Sequence, residues 1–94
     1  MRYHQGERFG LSEEEQSYIY WLCRYKNRIA QKKAEAIEKL VEEVADGEED
    51  MKKALEEALY TGKSLLEISM KRYISEASLQ RRCEKFYKKA VKIL

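Results

Sequence analysis

The sequence predicts an all-α protein: a long N-terminal helix followed by a three-helix C-terminal bundle that contains a helix-turn-helix. Three observations predict this fold class. The 94 residues include no proline and only four glycines, which leaves few interruptions for helices and few turns for a β-sandwich. Apolar residues recur at spacings of three and four along most of the chain. Serines that can cap helices stand just before several of these apolar runs.

The chain begins with a segment that lacks any apolar period. Residues 1–10 contain two of the glycines, and we interpret them as a flexible arm. The first helix is expected to begin after Ser12, which can form a capping box with Glu15. Its apolar stripe is predicted to comprise Tyr18, Leu22, Tyr25, Ile29, Ala36 or Ile37, Leu40 and Val44.

No stop signal for this helix precedes Gly47, so segment 11–46 is predicted as one long helix. A helix over residues 12–45 would be about 50 Å long, well beyond the size of a compact domain of this length. We therefore expect either a bend, at residues 26–28 or 31–33, or packing of this helix on a second chain as a homodimer.

Three shorter helices are expected in segment 48–94. Asp50 is predicted to cap the first of them and Gly62 to end it. A short helix follows Ser64, and Ser75 caps the last helix. The apolar stripe of that last helix is formed by Leu79, Cys83, Phe86, Ala90 and Ile93.

Charge is segregated along the chain, although the net charge is only +2. Residues 1–34 carry a net +3, residues 35–62 a net −7, and residues 63–94 a net +6. Asymmetry of this kind predicts an anionic partner for the basic C-terminal third.

The last third also has the packing pattern of a helix-turn-helix. Ser69 is small enough for the crossing of two helices, and Ile74 can close the turn between them. Ser75 caps the second helix, and Leu79, four residues later, can lock that helix on the first.

The stretch from about Asp50 to Leu94 resembles region 4 of sigma factors, and it is more similar still to sigma-region-4-like phage transcription regulators of the ArpU and RinA type. The matching motifs are Gly62-Lys63-Ser64-Leu65, Leu66-Glu67-Ile68-Ser69, Ile74-Ser75-Glu76-Ala77-Ser78-Leu79-Gln80-Arg81-Arg82 and Lys89-Ala90-Val91-Lys92-Ile93-Leu94. Two positions depart from the family pattern. Tyr73 stands where the turn usually has glycine, which predicts a looser or longer turn, and Glu76 can repel phosphate.

The resemblance implies that helix 76–92 enters the major groove of double-stranded DNA. The base contacts that it implies are made by Ser75, Ala77, Ser78, Arg81 and Arg82. The phosphate contacts that it implies are made by Lys63, Ser64, Lys71 and Lys85. An arginine among the base-contacting residues can bind guanine through two hydrogen bonds.

The predicted function is that of a cytoplasmic, phage-type transcriptional regulator that binds DNA sequence-specifically. One alternative is a sigma-like adaptor that binds RNA polymerase or another protein, which the acidic middle of the chain supports. Another is a small terminase-like packaging component, although in such proteins the DNA-binding module usually comes first.

Several other functions are not expected from the sequence. No nucleophile, phosphate-loop or nucleotide-binding pattern predicts an enzyme or a cofactor. His4 lacks a partner at metal-ligand spacing, and Cys23 and Cys83 lie too far apart for a zinc motif or a disulfide framework. No apolar run predicts a membrane span or a secretory signal.

A cluster of aromatic residues with interleaved cations remains open to two interpretations. Its members are Tyr18, Tyr20, Trp21, Arg24, Tyr25, Lys26 and Arg28. Stacking on single-stranded bases is one interpretation. Packing in the core or in a dimer interface is the favoured one, because Tyr18, Leu22 and Tyr25 share the predicted stripe.

Overall fold

The structure is a computed structural model that describes residues 10–94, and the prediction of an all-α fold is confirmed for them. The five α-helices are α1 (Glu13–Arg24), α2 (Gln31–Ala45), α3 (Glu49–Glu56), α4 (Leu65–Arg72) and α5 (Glu76–Ile93). A 3-10 turn, Lys26–Arg28, separates α1 from α2, and a π-helical turn, Glu57–Thr61, follows α3. None of these helices is long and apolar enough to cross a membrane.

The prediction of a single long N-terminal helix is wrong, because the chain breaks between α1 and α2. The break coincides with the first of the two bend sites expected, residues 26–28, where Arg28 N donates to Tyr25 O at 2.8 Å. The longest extent of the molecule is 32 Å, too short for an unbroken helix of that length. Because the chain folds back, excess helix length no longer argues for a homodimer, which stays a prediction.

Folding back also changes which face of α1 is buried. Ile19 and Cys23 lie in the core, whereas Tyr18 and Tyr25, which the predicted stripe placed there, are exposed. The predicted stripe assumed one continuous helix, whereas α1 and α2 are separate helices with the 3-10 turn between them. In α2, by contrast, the predicted stripe residues Ile37, Leu40 and Val44 are all buried.

Helix α5 lies at the centre of the packing, since each of the other four α-helices contacts it. Four of its five predicted stripe residues are buried: Leu79, Cys83, Phe86 and Ala90. The fifth, Ile93, is 60% exposed because the helix ends there, beyond its neighbours. Tyr87 adds a buried aromatic ring that contacts Phe86 edge-on at 6.2 Å.

Serine caps fix the starts of three helices as predicted. Ser12 Oγ accepts from Glu15 N at 3.1 Å, and Glu15 Oε1 accepts from Ser12 N at 2.9 Å, which completes the capping box. Ser64 and Ser75 each accept from the backbone amide three residues later, at 3.1 Å. These bonds satisfy amide groups that the helices themselves leave free.

The boundaries around α3 differ slightly from those expected. Asp50 is not the cap: the helix begins at Glu49 after Glu48, and no side chain caps it. Before it, α2 ends on Asp46 in the left-handed region, with Gly47 also at positive φ. Gly62 ends the π-helical turn at φ +73°, as the sequence predicted for the end of this segment.

The turn between α4 and α5 is short despite the tyrosine at its first position. Tyr73 has φ 55° and ψ 36°, the left-handed conformation that glycine normally supplies. Ile74 N donates to Ser69 O at 3.3 Å, and Ile68 and Leu79 are fully buried on either side of the turn. The predicted loosening of this turn is therefore wrong, because the tyrosine adopts the glycine conformation itself.

We expect Tyr73→Gly to stabilise the protein by about 0.5–1 kcal/mol. A left-handed non-glycine residue costs about 1–2 kcal/mol, which outweighs the extra entropy that glycine loses on folding. The side chain of Tyr73 is 95% exposed, so little packing is lost. Urea unfolding measures the change, with Tyr73→Ala as the matched control: it removes the ring but keeps the strained backbone. Equal stabilisation by both variants would show that the conformation is not the cause.

Candidate nucleic-acid interface

The outer side of α5 carries a line of cations, which we call the basic stripe: Arg81, Lys85, Lys88 and Lys92. All four side chains are exposed, and their spacing of four, three and four residues puts them on one side of the helix. The line is about 16 Å long at 1.5 Å per residue. Burial of the opposite side of α5 in the core fixes the direction in which it faces.

Most of this stripe is free of internal ion pairs. Lys88 Nζ lies 3.0 Å from Glu84 Oε1, one helical turn away. Within residues 10–94, Arg81, Lys85 and Lys92 have no carboxylate within ion-pair distance. Their charges are therefore available to an anion from outside the molecule.

The predicted base-contact residues differ in their surroundings. Ala77 and Arg81 are exposed on α5, and the Arg81 Nη2 atom lies 3.5 Å from Ser78 Oγ. Ser75 is exposed but its hydroxyl is used to cap the helix, and Ser78 is half-buried. The start of α5 thus brings four of the five residues together at the turn.

Arg82, the fifth, bonds within the molecule. Its Nη1 atom donates to Val44 O at 2.6 Å, and its Nη2 atom donates to Glu48 Oε2 at 3.2 Å. These bonds join α5 to the end of α2 and to the residue before α3. The base contact proposed for Arg82 stays a prediction, and making it would require both bonds to break.

An open groove of about 570 Å³ separates the start of α5 from the start of α3. Glu48, Glu49 and Asp50 line one side of it, and Ser75, Ser78, Arg81 and Arg82 line the other. Sequence reasoning missed this acidic wall, because the three carboxylates precede α5 by about 25 residues in the chain. The acidic run itself was visible in the sequence, but its position beside the turn was not.

A second group of cations surrounds Glu57, at the start of the π-helical turn. Lys63 Nζ lies 3.3 Å and Lys71 Nζ 3.8 Å from Glu57 Oε2, and Arg72 Nε donates to Glu57 Oε1 at 2.6 Å. The Glu57 side chain is only 13% exposed. The hydrogen bond from Arg72, followed by that from Lys63, lowers the pKa of this carboxyl group.

Two of the predicted phosphate-contact residues, Lys63 and Lys71, therefore lie together at this cluster. Three cations around one carboxylate leave a local charge of +2. Ser64, a third predicted residue, uses its hydroxyl to cap α4, while Lys85 lies in the basic stripe. The predicted phosphate contacts thus occupy two surfaces, one beside α4 and one along α5.

The two cysteines lie in the core. Cys23 and Cys83 are both buried free thiols, and burial raises the pKa of the Cys23 thiol to about 12. In the part of the chain that the structure describes, no group of three or more His, Cys, Asp or Glu residues could hold a metal ion.

No protein-family model, curated protein or solved structure matches this chain. The resemblance to sigma region 4 and to the phage regulators therefore still depends on the motifs alone.

Replacing Arg81 and replacing Arg82, both near the start of α5, should affect the stability of the protein differently. Arg82→Ala should lower the free energy of unfolding by about 1–2 kcal/mol, because it leaves Val44 O and Glu48 without their charged partner. Arg81→Ala, the matched control one residue away, should change it by less than about 0.5 kcal/mol. Urea unfolding followed by circular dichroism gives both values. Equal effects would contradict the bonds assigned to Arg82.

The Glu57 cluster predicts a pH dependence of stability. Because the pKa of folded Glu57 lies below its ordinary value of 4.5, its contribution is complete above that pH and is lost as the pH falls through the folded pKa. We expect Glu57→Gln to lower the free energy of unfolding by about 1 kcal/mol near neutral pH, and the difference from wild type to shrink in acid.

Urea titrations of both proteins across the acid range test this, with Glu56→Gln as the control for the loss of a neighbouring carboxylate. A difference that stays constant as the pH falls would mean that the cluster does not act through the Glu57 charge.

Proposed function

We propose that the protein binds double-stranded DNA through a helix-turn-helix formed by α4, the turn 73–75 and α5, and that it acts as a transcriptional regulator. The observation that carries the proposal is the basic stripe on the exposed side of α5. This helix is the second of two packed helices joined by a short turn, which is the arrangement that presents a recognition helix to the major groove.

The dimensions of the stripe suit a helix lying in the major groove. An α-helix fits within the groove width of about 12 Å, and phosphates line both of its edges. Arg81, nearest the turn, is in the position from which recognition helices contact base edges. Lys85, Lys88 and Lys92 continue along the same side of the helix, where they can reach the phosphate backbone of the DNA. The stripe thus offers one base-reading side chain followed by phosphate-binding ones.

The Glu57 cluster supplies a second cationic surface beside α4. In helix-turn-helix proteins the first helix crosses the DNA backbone while the second enters the groove. Lys63 and Lys71 keep 42% and 58% of their side-chain surface exposed while they contact Glu57. Glu57 therefore holds their ammonium groups in place without covering them, which favours phosphate contacts at the flank.

The acidic groove limits how α5 can approach DNA. Glu48, Glu49 and Asp50 would repel phosphates brought near the inner side of the turn. Arg81 lines this groove as well as belonging to the basic stripe, so contact through Ala77, Lys85, Lys88 and Lys92 keeps phosphates away from these carboxylates. We therefore assign the reading of bases to Ala77 and Arg81, and the positioning of α5 to Ser75, Ser78 and Arg82.

The same acidic groove favours a second candidate function, that of an adaptor that binds a basic surface of RNA polymerase or of another protein. Residues 35–62 carry a net −7, and Asp46, Glu49 and Asp50 are all exposed. Charge complementarity of this kind steers association between proteins. The two functions use different charged residues, the basic stripe and the carboxylates of the groove, and are separable by mutation.

Binding to duplex DNA should weaken steeply with salt. If the stripe and the Glu57 cluster neutralise about six phosphates, the logarithm of the binding constant should fall with the logarithm of salt concentration at a slope of about −5. Replacing Arg81 and Lys85 together by alanine should reduce the slope to about −3 and weaken binding at least tenfold. Fluorescence anisotropy with a labelled random-sequence duplex pool measures both quantities.

The control is the Lys39→Ala, Lys53→Ala double variant, which removes the same charge from exposed positions of α2 and α3. It should bind nearly as wild type does. The absence of any complex at low salt would exclude DNA binding by this surface. An equal loss of affinity in both double variants would show that binding depends on net charge and not on the basic stripe.

A further inference from the structure

The structure points to a second nucleic-acid surface, and we propose that one exposed face of α1 binds single-stranded nucleic acid by base stacking. We call this the aromatic face; it is formed by Tyr18, Trp21 and Tyr25. Arg28, in the 3-10 turn, lies beside Tyr25, and Lys32 follows in the first turn of α2. The proposal is independent of the function proposed for α5.

The aromatic face is unusual because large rings are left outside the core. The exposed fractions of Tyr18, Trp21 and Tyr25 are 42%, 47% and 46%. Their spacing of three and four residues aligns them along α1. Trp21 and Tyr25 stack on each other, with ring centroids 5.5 Å apart and an interplanar angle of 22°. The core packing expected for these rings from the sequence is therefore wrong, and their exposure requires another explanation.

Cations accompany the rings at the C-terminal end of α1. The Arg28 guanidinium lies 5.9 Å from the Tyr25 ring centroid. Neither Arg28 nor Lys32 has a carboxylate partner anywhere in residues 10–94. Glu14 lies one turn before Tyr18 on the same side of α1, so the positive potential is concentrated at Tyr25 and beyond.

Two other cations near the aromatic face, Lys33 and Arg24, are held by internal hydrogen bonds. Lys33 Nζ donates to Tyr18 Oη at 2.6 Å, and that hydroxyl in turn donates to Leu94 O at 3.0 Å. Arg24 donates to Tyr20 Oη at 2.9 Å and to Thr61 O at 3.3 Å. These contacts fix the edges of the face, while Trp21, Tyr25 and Arg28 remain accessible at its centre.

Charge decides among the partners that could cover exposed rings. A two-fold contact between copies of this chain through the aromatic face would cover the rings but, with the two α1 helices antiparallel, would offer Arg28 and Lys32 little counter-charge beyond Glu14 of the second copy. An anionic partner with flat apolar surfaces satisfies both the rings and the cations. Single-stranded nucleic acid has both properties, because its bases expose ring faces that a duplex hides in its own stack.

The experiment uses the chain's own fluorophore, because Trp21 is its only tryptophan. Single-stranded oligo-dT of about 12 nucleotides, within the range of known site sizes, is titrated into the full chain. We expect quenching of Trp21 fluorescence and a rise in the anisotropy of the labelled oligonucleotide. Tyr25→Ala should weaken binding at least fivefold, whereas Tyr25→Phe, which keeps the ring, should bind as wild type does. The Arg28→Ala, Lys32→Ala double variant should make the salt slope shallower by about 1.4.

Two comparisons separate this proposal from that for α5 and from protein binding. The Arg81→Ala, Lys85→Ala double variant should keep single-strand binding, and Tyr25→Ala should keep duplex binding. The proposal is overturned if the stripe variant loses the single strand while Tyr25→Ala keeps it, or if no quenching occurs at low salt. Equally strong quenching by poly-glutamate would also overturn it, in favour of an acidic protein partner. Circular dichroism confirms that each variant is folded.

Discussion

The structure depends on the burial of one side of α5. Every other α-helix contacts this helix, and Leu79, Cys83, Phe86 and Ala90 form the side that they share. A chain of 94 residues has little apolar surface to bury. Packing four helices against one central helix gathers that surface into a single core. A consequence is that the opposite side of α5 cannot rotate without dismantling the core. The orientation of the basic stripe is therefore as stable as the fold itself.

Local signals in the sequence were sufficient for much of this fold. The caps at Ser12, Ser64 and Ser75 and the buried side of α5 were predicted correctly, because each depends on residues within one or two helical turns. The buried face of α1 was not predicted correctly, because periodicity alone cannot distinguish a core face with Tyr18 and Tyr25 from one with Ile19 and Cys23. Tyrosine scores as apolar but tolerates water through its hydroxyl, and only the break after α1 decides which set is buried.

The candidate site, like the fold, was predictable only where it depends on residues close together in the sequence. Helical spacing correctly exposed Arg81 and Lys85, whereas the internal bonds of Arg82 join it to residues 34 and 38 positions away. The charge blocks of the sequence suggested a basic end remote from an acidic middle. The fold instead places Glu48 and its neighbours directly against the start of α5. The molecule therefore presents opposite charges next to each other at the start of one helix, which orients it toward a charged partner before contact.

The π-helical turn after α3 holds separate parts of the chain together. A turn of this kind holds more residues than an α-helical turn and redirects the chain without a flexible linker. It begins at Glu57, whose carboxylate holds Lys63, Lys71 and Arg72, and it ends at Gly62, beside the Arg24 guanidinium of α1. These six residues thus link the α1–α3 segment to the α4–α5 pair. Because Arg24 also donates to Thr61 O at 3.3 Å, one turn of the chain holds contacts to both α1 and α4.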